Sequence, residues 1–316
     1  MGAKGRAMGI ATGDFASAAM LRVLHAGLGG PAHVPDDAHV PLAAKRTLLE
    51  RALRERGPAA VLEAGRAVRR FPKDPLLCAL LAGGDAASVF ERWGRLERYV
   101  HSRHRTRRRL RVMGTCRVLC IRHVALAPNP PPHAGESLAV LGVLHALADW
   151  AGARDLRAWI GREPALPVAD PAALAAACAA GPVTRWRLTW REPDPIRAVP
   201  LAPIAPLQPH AAPAERFFAL AAANPIRRWR VAEAAAALAL PVRTFQRALA
   251  TAGTSFSALV ARMRREAAAA HLINGSQSLA EIGYLCGYAD QAHFTREFAH
   301  ATGLSPGRYR EEFACA

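Results

Sequence analysis

The chain lacks any apolar run approaching the ~20 residues needed to cross a bilayer. Its opening stretch, MGAKGRAMGIATGDFASAAM, lacks the continuous apolar core of a secretory signal. Together these absences predict a cytoplasmic protein with no membrane partner. The six cysteines follow no regular spacing and include no CxxC pair, which excludes a disulfide scaffold and the common zinc arrangements. A nucleophile elbow, a phosphate-binding glycine loop and a compact Cys/His/acid cluster are also missing, so the usual motifs of enzyme chemistry have no foothold. Acidic residues are scarce, 25 against 42 basic ones, for a net charge of +17. From Pro213 onward there are 12 basic and 8 acidic residues, so the excess lies mostly in residues 1–212. Such a field speeds association with DNA and makes affinity fall with salt. What is abundant is apolar residue, at 51%, ample for the cores of two domains in 316 residues.

The last hundred residues carry one pattern twice. Residues 231–253 read VAEAAAALALPVRTFQRALATAG, and residues 279–303 read LAEIGYLCGYADQAHFTREFAHATG. Val231-Ala232-Glu233 aligns with Leu279-Ala280-Glu281 at an offset of 48 residues, and Phe245-Gln246-Arg247 with Phe294-Thr295-Arg296 at 49, one residue being inserted at the second turn. In the first copy Val231, Ala235 and Leu238 share a helical stripe. Pro241 then forces a turn, because it cannot continue a helical hydrogen-bond ladder, and Val242, Phe245 and Leu249 point inward from the next helix. In the second copy Leu279, Ile282 and Leu285 pack, Gly287 supplies a left-handed turn, and Phe294 with Phe298 anchors the following helix. Outward stand Arg243, Gln246, Arg247 and Ala250 in one copy, and Gln291, Ala292, His293 and Arg296 in the other. Arg pairs bidentately with guanine and Gln with adenine, which suits a helix-turn-helix whose second helix enters the major groove. Between the copies, residues 255–273 read as one helix of ~27 Å, long enough to hold two recognition helices about one DNA turn, ~34 Å, apart.

Three segments carry a family likeness: RTFQRALATAGTSFSALV from Arg243, RREAAAAHL from Arg264, and SLAEIGYLCGYADQAHFTREFAHATGLSPGRYR from Ser278 to Arg310. Over the last third of the chain, without a gap, they resemble the C-terminal DNA-binding domain of the AraC family of bacterial transcription regulators. The resemblance implies base or backbone contact from Arg243, Gln246 and Arg247 in the first copy and from Gln291, His293 and Arg296 in the second. It implies double-stranded DNA as partner, with RNA polymerase as a further one. One departure is Ala299-His300-Ala301, nearly uncharged where relatives often carry basic residues.

Ahead of this segment, residues 20–71 read as helices broken by Gly and Pro. Leu42, Lys45, Leu49 and Leu53 form one apolar stripe, and Val61, Leu62, Ala64 and Val68 another. Asp74-Pro75 opens a helix through Leu81, and residues 89–101 continue with Val89, Trp93, Leu96 and Val100. The densest charge run, HSRHRTRRRLR over 101–111, reads either as a patch for a polyanion or acidic ligand or as a solvated connection leading into a strand; the second is the expectation. Residues 109–126 alternate as a hairpin about Gly114, with Cys116, Val118 and Cys120 on one face and Leu119, Ile121 and His123 on the other. Cys116 and Cys120 therefore face away from His123, and no metal or other cofactor is expected. A proline-rich loop over 127–133 ends the hairpin. Residues 136–151 form a strongly apolar central helix, 171–180 an Ala-rich helix, and 183–190 a strand with Trp186, Leu188 and Trp190 on one face.

Helices mixed with two or three antiparallel strands make an α+β domain. Its order of elements resembles the arabinose-binding-like N-terminal domain of one branch of the same family, which implies a small-molecule effector and a homodimer. Whether Trp93, Trp150, Trp186 and Trp190 line a ligand or a core is open. The chain thus reads as a mobile tail (1–19), an effector-binding and dimerisation domain (20–195), a proline-rich extended linker (196–212) and an all-α DNA-binding domain with two helix-turn-helix motifs joined by a linker helix (213–316), mostly α overall. The leading reading is a non-enzymatic, sequence-specific transcriptional regulator that inserts two recognition helices into successive major-groove segments. One alternative is a DNA-repair alkyltransferase-like enzyme with Cys116 or Cys120 as the reactive thiol, told apart by alkyl transfer from methylated DNA. Another is a nonspecific nucleoid-binding protein, told apart by equal affinity for random and cognate DNA.

Overall fold

Residues 134–148 are apolar on almost every side, and a helix of that kind belongs inside a core. In the computed structural model, which describes residues 14–30, 37–192 and 211–314, they form α5 (Ala134–Trp150), buried continuously from Gly135 to Ala148. Across it lies α2 (Leu42–Arg66), a single helix kinked at Gly57-Pro58, where Gly57 takes φ 76°. The two backbones touch. A Cβ on Gly142 would collide with the Leu62 carbonyl oxygen, and one on Gly65 with that of Ala139. Glycine is required at this crossing because any side chain would push the helices apart.

Residues 1–13 of the expected tail, and 193–210 of the linker region, lie outside the described residues. The rest of the expected tail is part of the fold. Phe15–Ser17 is a strand (β1) paired with His39–Pro41 (β2), and it leads directly into α1 (Ala18–Leu28). Ser102 Oγ receives the Phe15 N–H at 3.0 Å, and Ala38 O that of Ala18 at 3.0 Å. Next come α3 (Pro75–Leu81) and α4 (Ala86–Val100), whose N-termini are capped by Asp74 and Asp85 as their side chains accept orphan backbone N–H groups.

Five antiparallel strands follow, more than the two or three expected: β3 (His104–Met113), β4 (Cys116–Ala125), β5 (Arg154–Ile160), β6 (Glu163–Leu166) and β7 (Arg185–Arg191), in the order β3-β4-β7-β5-β6. The pattern of β5 is broken by a register shift between Arg154 and Arg157, and β6 is a short edge strand, the place where Pro164 is tolerated. The charge run is not a connection but most of β3 itself. It can be a strand because alternate residues turn inward to a partner: the Glu97 carboxylate accepts from Thr106 N at 3.0–3.1 Å and from Thr106 Oγ1 at 2.9 Å. The inner face of the sheet, with Ile121, Trp186, Leu188, Trp190, Ala158 and Ile160, packs on α4 and α5. Trp93, Trp186 and Trp190 are core residues there, while Trp150 is half-buried. The Ala-rich α6 (Pro171–Ala180) completes this region.

The rest is helical: α7 (Pro213–Ala222), α8 (Val231–Ala237), α9 (Val242–Thr251), α10 (Phe256–Asn274), α11 (Leu279–Leu285), α12 (Gln291–Thr302) and α13 (Pro306–Phe313). These helices do not share one core. Phe217, Trp229, Phe245, Leu249, Leu259 and Met263 form a separate cluster. Leu272, Ile282, Phe294, Phe298, Tyr309 and Phe313 belong instead to a core continuous with that of residues 15–192. The Tyr309 hydroxyl donates to the Pro75 carbonyl, and the Ala38 N–H to His300 O at 2.8 Å. No helix among the described residues is long and apolar enough to cross a membrane.

Candidate nucleic-acid interface

The two copies of the repeat fold to the same backbone. Glu233 accepts the Arg230 N–H at 3.4 Å, and Glu281, 48 residues on, accepts that of Ser278 at 2.7 Å, so each first helix opens with its third-residue carboxylate folded back on the cap. Each then ends in a left-handed residue, Ala239 at φ 56° and Gly287 at φ 77°. The Leu240 N–H reaches Ala235 O and the Tyr288 N–H reaches Gly283 O, both at 2.9 Å, the long closing bond of a helix stop. The turn is therefore specified twice, once with glycine and once with alanine under strain.

After the turns, α9 and α12 bury one stripe each. Phe245 and Leu249 hold α9, and Phe294 and Phe298 hold α12, with every one of the four at most 2% exposed. Asp290 caps α12, its Oδ1 accepting from His293 N at 2.7 Å. Two residues expected inside are outside. Val242 is the first residue of α9, beyond the reach of the Phe245 cluster, and is 37% exposed; Leu285, at the end of α11, is also 37% exposed. Cys286 and Tyr288 fill the space expected for Leu285.

The opposite stripes are open. Arg243, Gln246 and Arg247 are exposed on α9 at i, i+3, i+4 spacing, which puts them on one face. Gln291 and Arg296 are exposed on α12. None of Arg243, Arg247 and Arg296 is engaged in an ion pair among the described residues, which leaves their guanidinium groups available to an incoming anion. His293 differs. It is half-buried, its ring edge-on to Tyr288 at 5.5 Å, with Nδ1 accepting from Ala289 N at 3.4 Å and Nε2 facing Glu297 at 3.3 Å. Its ring is thus already engaged within the protein. Three arginines that sequence reasoning passed over, Arg227, Arg228 and Arg230, are exposed just before α8, with Arg227 stacked over Trp229 at 3.9 Å. The RRWR run was the available signal, and the positive end of a helix lies beside it.

The two stripes are not brought together but held at the two ends of α10. That helix has 19 residues, ~28 Å at 1.5 Å per residue. Its first half gives Leu259, Val260 and Met263 to one core and its second half gives Ala268, Ala269, Leu272 and Ile273 to the other, so the spacing is set by one rigid element.

Elsewhere, His101, His104 and Glu136 bring ligand atoms within 4.8 Å of one another. The Lys45 amine already lies among them, 3.0 Å from His101 Nε2 and 3.3 Å from Glu136 Oε1. Burial alone would raise the Glu136 pKa, but Lys45, His104, the His133 N–H and Arg46 outweigh it and hold the carboxyl down at about 2. Protein cations satisfy this carboxylate.

Residues 234–312 match the family model described as a helix-turn-helix domain, a span that starts in α8 and ends in α13 and so takes in both copies. The transcriptional activator NphR of Rhodococcus sp is 34% identical over 84 residues, 27% of this chain and 25% of that protein; the chain thus matches only about a quarter of its relative's length. A DNA-binding transcriptional dual regulator from Escherichia coli K-12 is 25% identical, with 33% of this chain and 93% of that one covered and a TM-score of 0.32. The DNA-binding domain of AdpA, solved in complex with a target DNA, is 24% identical over 32% of this chain and 92% of that one, with a TM-score of 0.30.

Proposed function

We propose that this chain, whose residues 234–312 match a helix-turn-helix domain and resemble the AraC type, is a sequence-specific DNA-binding transcriptional regulator. The observation that carries the reading is the doubled motif: two equivalent helix-turn-helix backbones, each with a polar open stripe, fastened to the two ends of one helix. Recognition helices held that far apart suit major-groove segments about one turn, ~34 Å, apart on one face of the duplex. In this reading Arg243, Gln246 and Arg247, and Gln291 and Arg296, contact bases or phosphates; His293 acts by holding the start of α12.

The regulator responds to a small effector. Support comes from a cleft of about 1040 Å³ lined by Arg70, Lys73 and Asp74 on one side and by Phe218, Thr254 and Arg262 on the other. A ligand there touches residues of both regions, and differential affinity for two arrangements of them is the only way it shifts their equilibrium.

The test is sequencing of genomic DNA fragments captured by the purified full-length protein. Fragments sharing two short blocks about one helical turn apart support the two-headed reading. Capture without a shared motif removes sequence specificity and leaves a nonspecific DNA-binding protein.

A further inference from the structure

The arginine-rich strand β3 has no part in the reading above, yet the sheet gives it a definite geometry. Residues directly opposite in an antiparallel pair share a face. Arg105, Arg107, Arg109 and Arg111 stand opposite Val124, Arg122, Cys120 and Val118 of β4. In turn Arg122, Cys120, Val118 and Cys116 stand opposite Arg185, Arg187, Thr189 and Arg191 of β7, and Arg157 of β5 lies opposite Thr189. Nine arginines from four strands therefore project from one face, the face turned away from α4 and α5. All but Arg105 are exposed.

This face is not neutralised. Among the described residues its strand positions hold no acidic side chain, and Asp155, in the β5 irregularity, pairs with Arg191 at 3.7 Å. None of Arg107, Arg109, Arg111, Arg122, Arg157 and Arg185 is engaged in an ion pair with another described residue. At ~3.3 Å per residue and ~4.8 Å between strands, the guanidinium groups cover roughly 20 by 14 Å on a rigid sheet. A second copy related by a two-fold axis through this face would set arginine against arginine, so the face does not suit self-pairing. We infer that the outer face of the five-stranded sheet is a second DNA contact, which binds the phosphate backbone of duplex flanking the segment read by the recognition helices.

The inference rests on the DNA-binding reading. Charge complementarity selects a polyanion, and the helix-turn-helix helices bring one to the same molecule, so contact with flanking duplex is intramolecular once they are bound. Phosphate contacts carry no sequence information but anchor and orient the protein. The inference also accounts for the location of the positive excess, which lies mainly in residues 1–212 rather than in the helix-turn-helix segment.

The test compares three full-length proteins: wild type, a sheet variant carrying Arg107→Gln, Arg109→Gln, Arg122→Gln and Arg185→Gln, and a recognition variant carrying Arg247→Ala and Arg296→Ala. Affinity is measured against salt on a short duplex that holds only the captured motif and on a long duplex that extends it on both sides. Counterion release gives a slope of about −0.9 per phosphate neutralised, so the sheet variant should lose up to ~3.6 units of slope on the long duplex and little on the short one. The recognition variant should lose its preference for the motif yet keep the steep slope on long DNA. An unchanged slope on long DNA, in a sheet variant that melts with wild type, overturns the inference. So does a loss confined to anionic vesicles, with duplex binding intact. Failure of the parent reading looks different: wild type shows no motif preference, while the sheet variant still loses slope.

Discussion

The guanidinium of Arg92, in the middle of α4, donates to the carbonyl oxygen of Phe313, the last residue of α13, at 2.8 Å, and to Ala79 O at 3.1 Å. Arg92 is 8% exposed and Phe313 is fully buried. One side chain thus ties the end of the second helix-turn-helix unit to residues 79–92. Beside it, Arg95 donates to Glu312 O at 2.7 Å, and Tyr99 Oη meets the Glu312 carboxylate at 3.0 Å.

Arg92→Leu removes a charged donor from buried carbonyls. Hydrogen bonds to charged groups contribute ~1.5–3 kcal/mol, and the orphaned acceptors make the loss larger than for a surface pair. The expected result is a lower urea midpoint, with α13 cut by protease before the rest of the chain. A midpoint equal to wild type would show that the contact does not fasten the two regions.

On the open stripes, Arg247→Ala and Arg296→Ala should each weaken binding to the captured motif by ~1–3 kcal/mol if they read bases, and relax specificity at one position. Footprints identical to wild type for both would remove them from the interface.

Phe294→Ala should act through folding rather than through DNA. The ring is fully buried, within 5.0 Å of Tyr288 and 5.7 Å of Phe298. Truncation costs ~3–5 kcal/mol. Calorimetry is the check, and an unshifted melting temperature contradicts the assignment.

The two turns predict opposite responses to opposite substitutions. Gly287→Ala places a Cβ at φ 77° and 2.8 Å from Pro225 O, and should destabilise by more than ~1 kcal/mol. Ala239→Gly relieves a left-handed alanine and should be neutral or stabilising by up to ~1 kcal/mol, since glycine's larger unfolded-state entropy offsets part of the gain. Paired denaturation curves decide, and equal losses at both sites would refute the equivalence of the turns.

Acid should unfold the protein in two stages. His145 is held down at about 4 and His123 at about 3, first by burial and then by neighbouring positive groups: Arg66 and Arg69 for His145, His104 and Lys45 for His123. Both are depressed below 6.5, so the unfolded chain binds more protons once pH falls below that value. Their contribution is complete above 6.5 and is lost as pH drops toward the folded values. Glu136, held at about 2, keeps its contribution down to about pH 4.5 and loses it below. Urea midpoints should be flat from about pH 7 to 8, fall as pH drops below 6.5, and fall further below 4.5. A His145→Met protein should show a shallower first decline, and an equally steep one would exclude His145.

Much of the chain was legible from spacing alone. The repeat, the left-handed stop at Gly287, the apolar α5, and the two faces of β4 each depend on residues within a turn or two of one another, where periodicities of 3.6 and 2 decide which side a residue faces. The AraC-type resemblance rested on the same local pattern. Cross-strand register was not legible, because which strands neighbour each other is a long-range outcome: the four outward arginines of β3 became nine on one face only when β4, β7 and β5 lined up beside it. Nor was it visible that Lys45, on an apolar stripe, would meet Glu136 from a helix about ninety residues away. The division of the C-terminal helices between two cores was hidden for the same reason. Helical periodicity can mark Tyr309 and Phe313 as buried, but it cannot say against what, and only the packed structure set them against residues 75–92.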